Sequence, residues 1–269
     1  MSEDANDKFT FSVEGKEYVI NEKSNLRGPK KNTIHGPSII IGVAITAICV
    51  IGIFFSLSVD NSEETQLIEK ELIVMKTAPE PTQISMDTFF NNASPVLGNP
   101  NAPITLIEFG DYQCHFCNVY FKNTQDKVLE NFVVTEQLNI IFKDFTIIGP
   151  DSFDAAHATH CANEQNKYWE YHNILYNNWA GENNGWASKQ NLVKFANDIE
   201  LDLKSFSQCM DSNDYNDMIN QSNNDARELG ISGTPAFFIV DQKNGQVLTI
   251  SGAQPYEVFE RVFNSIIEK

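Results

Sequence analysis

Two runs of strand character flank a helical stretch near the middle of the chain, and this arrangement constrains the fold most strongly. Ile104 to Phe109 is apolar apart from Glu108 and includes β-branched residues, as a buried strand does, and Leu138 to Phe145 is a second predicted strand. Between them, apolar positions from Val119 to Phe132 mark a helix. A strand, a helix and a strand within about 40 residues form a βαβ unit, with parallel strands and a right-handed crossover.

A long helical block and a return to strands follow this unit. Three helices are predicted within residues 151–230, the last closed by Gly230: Ala155 to Tyr176, Lys189 to Asp198 and Asp214 to Leu229. Two strands joined by an Asn244-Gly245 turn and a final helix come next: Ala236 to Val240, Val247 to Ile250 and Tyr256 to Ile267. The sequence therefore predicts an α/β domain with a helical insertion at about 151–230.

Two cysteines stand where the first strand passes into the helix, at Cys114 and Cys117. Residues three apart lie on the same side of a helical turn, and the free N–H groups and dipole at a helix N-terminus favour a thiolate on Cys114. A lowered pKa makes Cys114 a better leaving group and a more populated nucleophile. Cys117, one turn inside, is positioned to attack a mixed disulfide on Cys114. The spacing indicates a pair that cycles between dithiol and disulfide.

A zinc site and a static disulfide are the other interpretations of this pair. A zinc site needs about four ligands, and the sequence has no second Cys-x-x-Cys or Cys-x-x-His. His157, His160 and Cys161 form a compact cluster that could contribute, although these positions on a helix are equally compatible with core and surface roles. The βαβ context favours redox use, so we predict no metal and no cofactor beyond the redox-active disulfide.

Two motifs and the segment between them resemble a known family. The motifs are Leu106-Ile107-Glu108-Phe109-Gly110-Asp111-Tyr112-Gln113-Cys114-His115-Phe116-Cys117 and Gly233-Thr234-Pro235-Ala236-Phe237-Phe238. With the helical block, they are similar to the DsbA-like thiol:disulfide oxidoreductases of the thioredoxin-fold superfamily, particularly the membrane-anchored bacterial and archaeal forms. The resemblance covers about residues 84–269 and implies a thioredoxin-like fold.

The resemblance also implies a role for each matching residue. Cys114 matches the exposed nucleophilic cysteine and Cys117 the buried resolving one. Pro235 matches a cis-proline beside the sulfurs, and the backbone of Thr234 matches one that pairs with an incoming peptide. Glu108 matches the buried acid that helps to move the proton of the resolving cysteine. A strand-end carboxylate that reaches solvent is the other interpretation of Glu108.

The two residues between the cysteines depart from the best-known strongly oxidising members, which have Pro-His there. His115, when protonated, would stabilise the Cys114 thiolate, and Phe116 offers an apolar cover that we assign to substrate binding. These positions tune the redox potential, and family values run roughly from −120 to −270 mV. The departure therefore leaves the oxidising power of this pair open.

An uncharged run of 22 residues, Ser38 to Val59, precedes the domain. At 1.5 Å per residue it spans roughly 33 Å, enough to cross a hydrocarbon core of about 30 Å. Arg27, Lys30 and Lys31 precede the run and acidic residues follow it, so the positive-inside rule places the N-terminus in the cytoplasm. A cleaved signal peptide is the alternative. Four segments are predicted: a cytoplasmic tail at 1–36, a transmembrane anchor at 37–59, a linker at 60–83 and the extracytoplasmic domain at 84–269.

This orientation divides the five cysteines of the chain. Cys49 lies in the apolar run, where we expect it to pack as a small hydrophobic residue, with helix pairing and lipidation as the alternatives. Cys161 and Cys209 lie in the helical block, outside the membrane, where disulfides persist. We predict that they form a structural disulfide; two separate buried thiols or a second redox pair are the alternatives.

The charge balance limits the partners. The formal net charge is −17, and residues 1–36 hold six acids and six bases, so the excess lies on the exported side and argues against nucleic-acid binding. The predicted protein is a single-pass cell-membrane enzyme that introduces disulfides into reduced or misfolded exported proteins. The family implies reoxidation by a membrane partner of the DsbB or vitamin K epoxide reductase type. The alternatives are a reductase or isomerase of the same fold and a non-catalytic holdase or metal-binding module.

Overall fold

The computed structural model describes residues 8–13, 16–21 and 84–268. The predicted transmembrane anchor, Cys49 and the predicted linker lie outside these residues. In the described part of the chain, none of the helices has the length and apolar composition that a membrane crossing requires. Within the predicted tail, β1 (Lys8–Val13) pairs with β2 (Lys16–Asn21) as an antiparallel hairpin, for which the sequence had suggested no element.

The domain is built on a four-stranded mixed sheet in the order β4-β3-β5-β6. Its strands are β3 (Ile104–Gly110), β4 (Leu138–Asp144), β5 (Ala236–Asp241) and β6 (Val247–Ser251). β3 and β4 are parallel, whereas β5 runs antiparallel to both β3 and β6. Every residue of β3 and β4 is buried, as expected of strands covered on both faces. The predicted βαβ unit is confirmed.

Helices cover the sheet and fill the connection between β4 and β5. After a short α1 (Asp87–Phe90), the crossover from β3 to β4 begins as α2 (His115–Tyr120) and continues through a π-helical segment (Phe121–Gln125), α3 (Asp126–Val128) and a second π-helical segment (Leu129–Val133). The insertion and the C-terminal helix are α4 (Pro150–Asn163), α5 (Tyr168–Asn177), α6 (Lys189–Asp198), α7 (Leu203–Met210), α8 (Asn216–Glu228) and α9 (Tyr256–Ile267).

The prediction of a single helix from Ala155 to Tyr176 was wrong. α4 ends at Asn163 and α5 begins at Tyr168, and Asn166 between them has a φ of 57°. Asparagine tolerates this left-handed conformation, so the polar stretch turns instead of continuing the helix. Gly230 has a φ of 72°, which confirms its predicted place after α8.

The sheet separates two apolar clusters. Alternation along β3 sends Leu106 into the larger cluster, with Cys114, Cys117 and much of the insertion, and Ile107 into the smaller one, with α1 and α8. Glu108 stands two residues after Leu106 in β3, and alternate residues of a strand point to the same face of the sheet. Its carboxyl group therefore lies on the face that carries the two cysteines.

Candidate active site

Cys114 is the N-cap residue of α2. Its Sγ accepts a hydrogen bond from the backbone N–H of Cys117 at 3.4 Å, and its thiol donates to the carbonyl oxygen of Thr234 at 3.3 Å. The Cys117 side chain, followed by Thr234 and backbone N–H groups, lowers the pKa of Cys114 to about 7 against the opposing effect of burial. A substantial fraction of Cys114 is therefore thiolate at neutral pH.

Cys117 differs from Cys114 in its surroundings. It is fully buried within the larger cluster, and this burial raises the pKa of its thiol well above the usual range. Both cysteines are thiols in this structure. One sulfur of the pair thus ionises readily whereas the other holds its proton.

Glu108 is only 3% exposed and lies between Phe142 and Phe237 on the neighbouring strands. Burial, together with the charge of Cys114, raises its pKa to about 8. Among the described residues, none forms a hydrogen bond with its Oε1. The alternative of a carboxylate reaching solvent was wrong. A buried carboxylic acid that keeps its proton at neutral pH can act as a proton donor.

The second motif faces the first. The Thr234–Pro235 peptide bond is cis, as predicted, and leads directly into β5. A cleft of about 380 Å³ begins at this bond and is lined by residues 229–238 and 249–252. The fold therefore brings Thr234 and Pro235 to Cys114 from 120 residues away in the chain.

The two residues between the cysteines lie on the surface. Phe116 is 60% exposed, and the His115 ring lies between Phe116 and Trp179, with centroid distances of 5.2 and 5.5 Å. The groups that lower the pKa of the Cys114 thiol are those of Cys117 and Thr234 and the backbone N–H of Phe116, and the His115 ring is not among them. Stabilisation of the thiolate by protonated His115 stays a prediction.

Asp111 and Gln113, which precede the first cysteine, also hold the site in place, and the sequence alone did not single them out. The buried Asp111 carboxylate accepts hydrogen bonds from the backbone N–H groups of Gln113, Ile147 and Ile148 at 2.8, 2.8 and 2.9 Å. Gln113, also buried, donates from Nε2 to Ser152 Oγ at 3.0 Å. These bonds join the cysteine loop to the start of the insertion.

The loop between α5 and α6 also contacts the cysteine motif. Trp179 Nε1 donates to the carbonyl oxygen of Gln113 at 2.8 Å, and the Asn183 N–H donates to Gln113 Oε1 at 2.9 Å. Glu182 Oε1 accepts from the backbone N–H of His115 at 2.9 Å. These contacts join positions 66 to 70 residues apart, and a local motif carries no signal for them.

Cys161 of α4 and Cys209 of α7 form the predicted disulfide, which is buried. The neighbouring histidines differ in their contacts. His160 Nε2 lies 2.7 Å from Asp144 Oδ2, whereas the ring of His157 lies beside the disulfide and its Nε2 has no partner among the described residues. Since both sulfurs are bonded to each other, the cluster offers no free thiolate to a metal, and the absence of a metal stays a prediction.

Known proteins share this fold. A family model described as Thioredoxin matches residues 91–259. Disulfide bond formation protein D of Bacillus subtilis is 22% identical over 151 residues, which are 55% of this chain and 68% of that protein. The crystal structure of oxidised BdbD from Bacillus subtilis has a TM-score of 0.60 at 20% identity and covers 70% of this chain and 97% of its own. For alpha-DsbA1 of Wolbachia pipientis the TM-score is 0.57 at 23% identity, with coverages of 71% and 94%.

A pair of cysteines at the start of a helix, in contact with a cis-proline loop beside a mixed sheet, defines a thiol:disulfide oxidoreductase of thioredoxin fold. Since the family model spans more than half of the chain, the protein belongs to the thioredoxin family. Within it the protein is DsbA-like, which confirms the resemblance inferred from the two motifs. Its activity is thiol-disulfide exchange.

Proposed function

We propose that the Cys114–Cys117 pair introduces disulfides into reduced or misfolded exported proteins. The observation that carries this proposal is the contrast between the two sulfurs, since the pKa of Cys114 is lowered to about 7 whereas that of Cys117 is raised by burial. A sulfur of low pKa leaves a mixed disulfide readily. The name of the Bacillus subtilis relative, disulfide bond formation protein D, supports the same direction.

The proposed reaction begins with the oxidised pair. A substrate thiolate attacks Cys114 Sγ, a substrate–Cys114 disulfide forms, the Cys114–Cys117 bond breaks, and Cys117 leaves as a thiolate. Glu108, protonated below about pH 8, gives that thiolate a proton. The second thiolate of the substrate then attacks the substrate sulfur and releases Cys114 as a thiolate, so that the substrate loses two electrons and the pair gains them.

Substrate binding is assigned to the surface beside Cys114. Phe116, two residues after Cys114, exposes an apolar ring. The backbone carbonyl oxygen of Thr234 lies 3.3 Å from Cys114 Sγ. An extended peptide can pair with such a backbone segment, whose main-chain hydrogen bonds carry no sequence preference. This arrangement suits substrates that are unfolded around their cysteines.

We place the domain at residues 84–269, outside the cell membrane, with residues 60–83 as its linker and residues 37–59, which include the uncharged run Ser38 to Val59, as its single anchor. The 22 uncharged residues of that run and the basic residues before it support this placement. Reoxidation then falls to a membrane partner of the DsbB or vitamin K epoxide reductase type, which accepts the two electrons. The disulfide itself is the proposed redox group, with no further cofactor.

One observation favours a second function within the same fold. A pKa of about 7 for Cys114 is close to the roughly 7 of thioredoxin and far above the roughly 3.5 of DsbA. A less acidic cysteine makes the reduced pair less stable, which suits a reductase or an isomerase.

A redox titration of the full chain in glutathione buffers separates these functions. The Cys114–Cys117 pair is followed by alkylation and mass spectrometry of the peptide that contains it. A potential near roughly −120 mV, the value of DsbA, supports the oxidase, one near roughly −180 mV, the value of protein disulfide isomerase, supports the isomerase, and one near roughly −270 mV, the value of thioredoxin, supports the reductase. A pair that does not cycle in this range contradicts all three.

A further inference from the structure

The loop between α5 and α6 places an acidic residue beside the reactive cysteine. Glu182 Oε1 lies 2.9 Å from the backbone nitrogen of His115, the residue that follows Cys114. Covalent geometry then keeps this carboxylate within about 8 Å of the Cys114 sulfur. Glu182 belongs to neither of the two motifs on which the proposed function depends.

The position of Glu182 is held by its neighbours in the loop. Trp179 donates to the Gln113 carbonyl at 2.8 Å, and Asn183 donates its N–H to Gln113 Oε1 at 2.9 Å and its Nδ2 to the Ile148 carbonyl at 3.1 Å. The loop is thus bonded on both sides of Glu182 to the residue that directly precedes Cys114. These bonds fix the loop from which the exposed side chain of Glu182 reaches the His115 N–H.

Glu182 and Cys114 both accept hydrogen bonds from backbone N–H groups at the start of α2. The Cys117 N–H points to the Cys114 sulfur at 3.4 Å, while the His115 N–H points to the Glu182 carboxylate. The positive end of a helix dipole favours a negative charge at either place. Two negative charges at this distance, however, repel each other, so the carboxylate opposes the ionisation of the thiol.

Other titratable groups bear on Cys114, and most of them are neutral at pH 7. Burial raises the pKa of Glu108, Cys117 and Tyr176, which lie on the inner side of the cysteine. His115 lies on the outer side, with its ring against Trp179 and Phe116. When protonated it acts in the opposite sense to Glu182.

We propose that Glu182 is a positioning residue that limits the oxidising power of the Cys114–Cys117 pair by placing negative charge beside the Cys114 thiolate. The inference rests on the proposed function, because a less stable thiolate makes the reduced pair less stable and the disulfide a weaker oxidant. The helical insertion therefore contributes a charge to the chemistry of the site as well as covering it.

Two substitutions separate charge from shape. Glu182→Gln removes the charge and keeps an oxygen that can accept the His115 N–H, whereas Glu182→Asp keeps the charge. Glu200→Gln is the matched control, because Glu200 is an exposed glutamate of the same insertion in the turn between α6 and α7. In the full chain, the rate of Cys114 alkylation is measured as a function of pH, and the equilibrium of the pair is measured in glutathione buffers.

We expect Glu182→Gln to lower the pKa of Cys114 by about 0.4 of a unit, a roughly 2.4-fold rise in the ratio of thiolate to thiol, as for unit charges about 8 Å apart in a water-like medium. At pH 7, where about half of Cys114 is already thiolate, the glutathione equilibrium should move by a smaller factor, roughly 1.7-fold towards a stronger oxidant, or about 7 mV at 29.6 mV per tenfold. Both differences should shrink in about 1 M salt. Glu182→Asp and Glu200→Gln should keep the wild-type profile.

The proposal is overturned by an unchanged or raised pKa of Cys114 in Glu182→Gln, by an equal shift in Glu200→Gln, or by a Glu182→Asp profile that matches Glu182→Gln. Failure of the proposed function looks different. In that case the wild-type pair does not cycle in glutathione, while the alkylation profiles still report whether Glu182 affects Cys114.

Discussion

The described domain contains two cysteine pairs, and the fold treats them in opposite ways. Cys114 and Cys117 stand three residues apart at the start of one helix and are thiols, whereas Cys161 and Cys209 stand 48 residues apart on two helices and are bonded. Their exposure hardly differs, since Cys114 is 4% exposed and Cys209 is 6% exposed. Burial alone does not distinguish a reactive pair from a structural one.

The difference lies in the groups around the sulfurs. Cys114 has an N–H donor and a carbonyl acceptor within hydrogen-bonding distance, and the site also holds Glu108, a buried acid that is protonated at neutral pH. The neighbour of the other pair is His157, whose pKa is lowered by burial, so its ring is neutral at pH 7. Reactivity follows from stabilisation of a thiolate and from a nearby proton donor.

The largest test of this contrast removes one sulfur at a time from the reactive pair. Cys114→Ser should abolish oxidation of a reduced dithiol peptide, because the substrate attacks that sulfur. Cys117→Ser, first loaded at Cys114 with glutathione from glutathione disulfide, should instead exchange that glutathione for a peptide that carries one thiol and accumulate the peptide–Cys114 disulfide, visible by mass spectrometry. Cys161→Ser/Cys209→Ser serves as the control and should retain turnover. Turnover by Cys114→Ser would contradict the mechanism.

The second test concerns stability. Cys161→Ser/Cys209→Ser should lower the free energy of unfolding by about 2–4 kcal/mol, because that disulfide closes a loop of 48 residues in the unfolded chain. In the oxidised protein, Cys114→Ser/Cys117→Ser, which removes a disulfide across three residues, should lower it less. Urea denaturation of both variants gives the comparison. Equal losses would show that the two disulfides contribute equally to the free energy of unfolding, against this expectation.

The third test concerns the acid beside the reactive pair. The pKa of Glu108 is raised from 4.5 to about 8, mainly by burial, so the folded state binds a proton that the unfolded state has released. Its contribution to the stability of the fold should therefore fall as the pH rises from about 5 towards 8. Glu108→Gln should remove this slope. Urea denaturation across that range, in a Cys114→Ser/Cys117→Ser background that keeps the other disulfide, measures it. Parallel curves for the two proteins would contradict the assigned pKa.

The smallest test concerns the connection between the insertion and the reactive pair. Trp179→Phe removes the hydrogen bond to the Gln113 carbonyl but keeps an aromatic ring, so it should cost about 1 kcal/mol of stability. Trp169→Phe is a matched control, because Trp169 Nε1 donates to the Pro95 carbonyl, outside the cysteine loop. Hydrogen exchange at His115 and Cys117 should rise in Trp179→Phe alone. An equal rise in both variants would show that the loop does not hold the active site specifically.

Local patterns predicted much of the fold. The βαβ unit, the turn at Asn244-Gly245 and the end of α8 at Gly230 depend on neighbouring residues, and each is confirmed. The break between Asn163 and Lys167 was not predictable, because a polar stretch of this kind is compatible with a helix. The left-handed conformation of Asn166 becomes visible only once α4 and α5 are placed.

The candidate site shows the same division. Its two motifs identified Cys114, Cys117, Glu108 and Pro235, because they carry characteristic side chains in a recognisable order. Glu182 had no such signal, since its partner is the backbone N–H of His115, 67 residues earlier, and any residue supplies such a group. A contact between a side chain and a distant backbone group depends on the path of the loop. That path is set by the packing of the whole insertion and not by a local motif.

The order of the cysteines along the chain also bears on how the domain matures. At about 5–20 residues per second, the Thr234 carbonyl emerges from the ribosome roughly 6 to 24 s after Cys114, its partner 120 residues earlier. During that interval Cys114 lacks the Thr234 carbonyl, one of the groups that lower its pKa in the folded domain. The two pairs are nevertheless consecutive along the chain, because Cys114 and Cys117 both precede Cys161 and Cys209. Pairing in the order of appearance therefore yields the native arrangement of these four cysteines, and maturation of the domain needs no isomerisation among them.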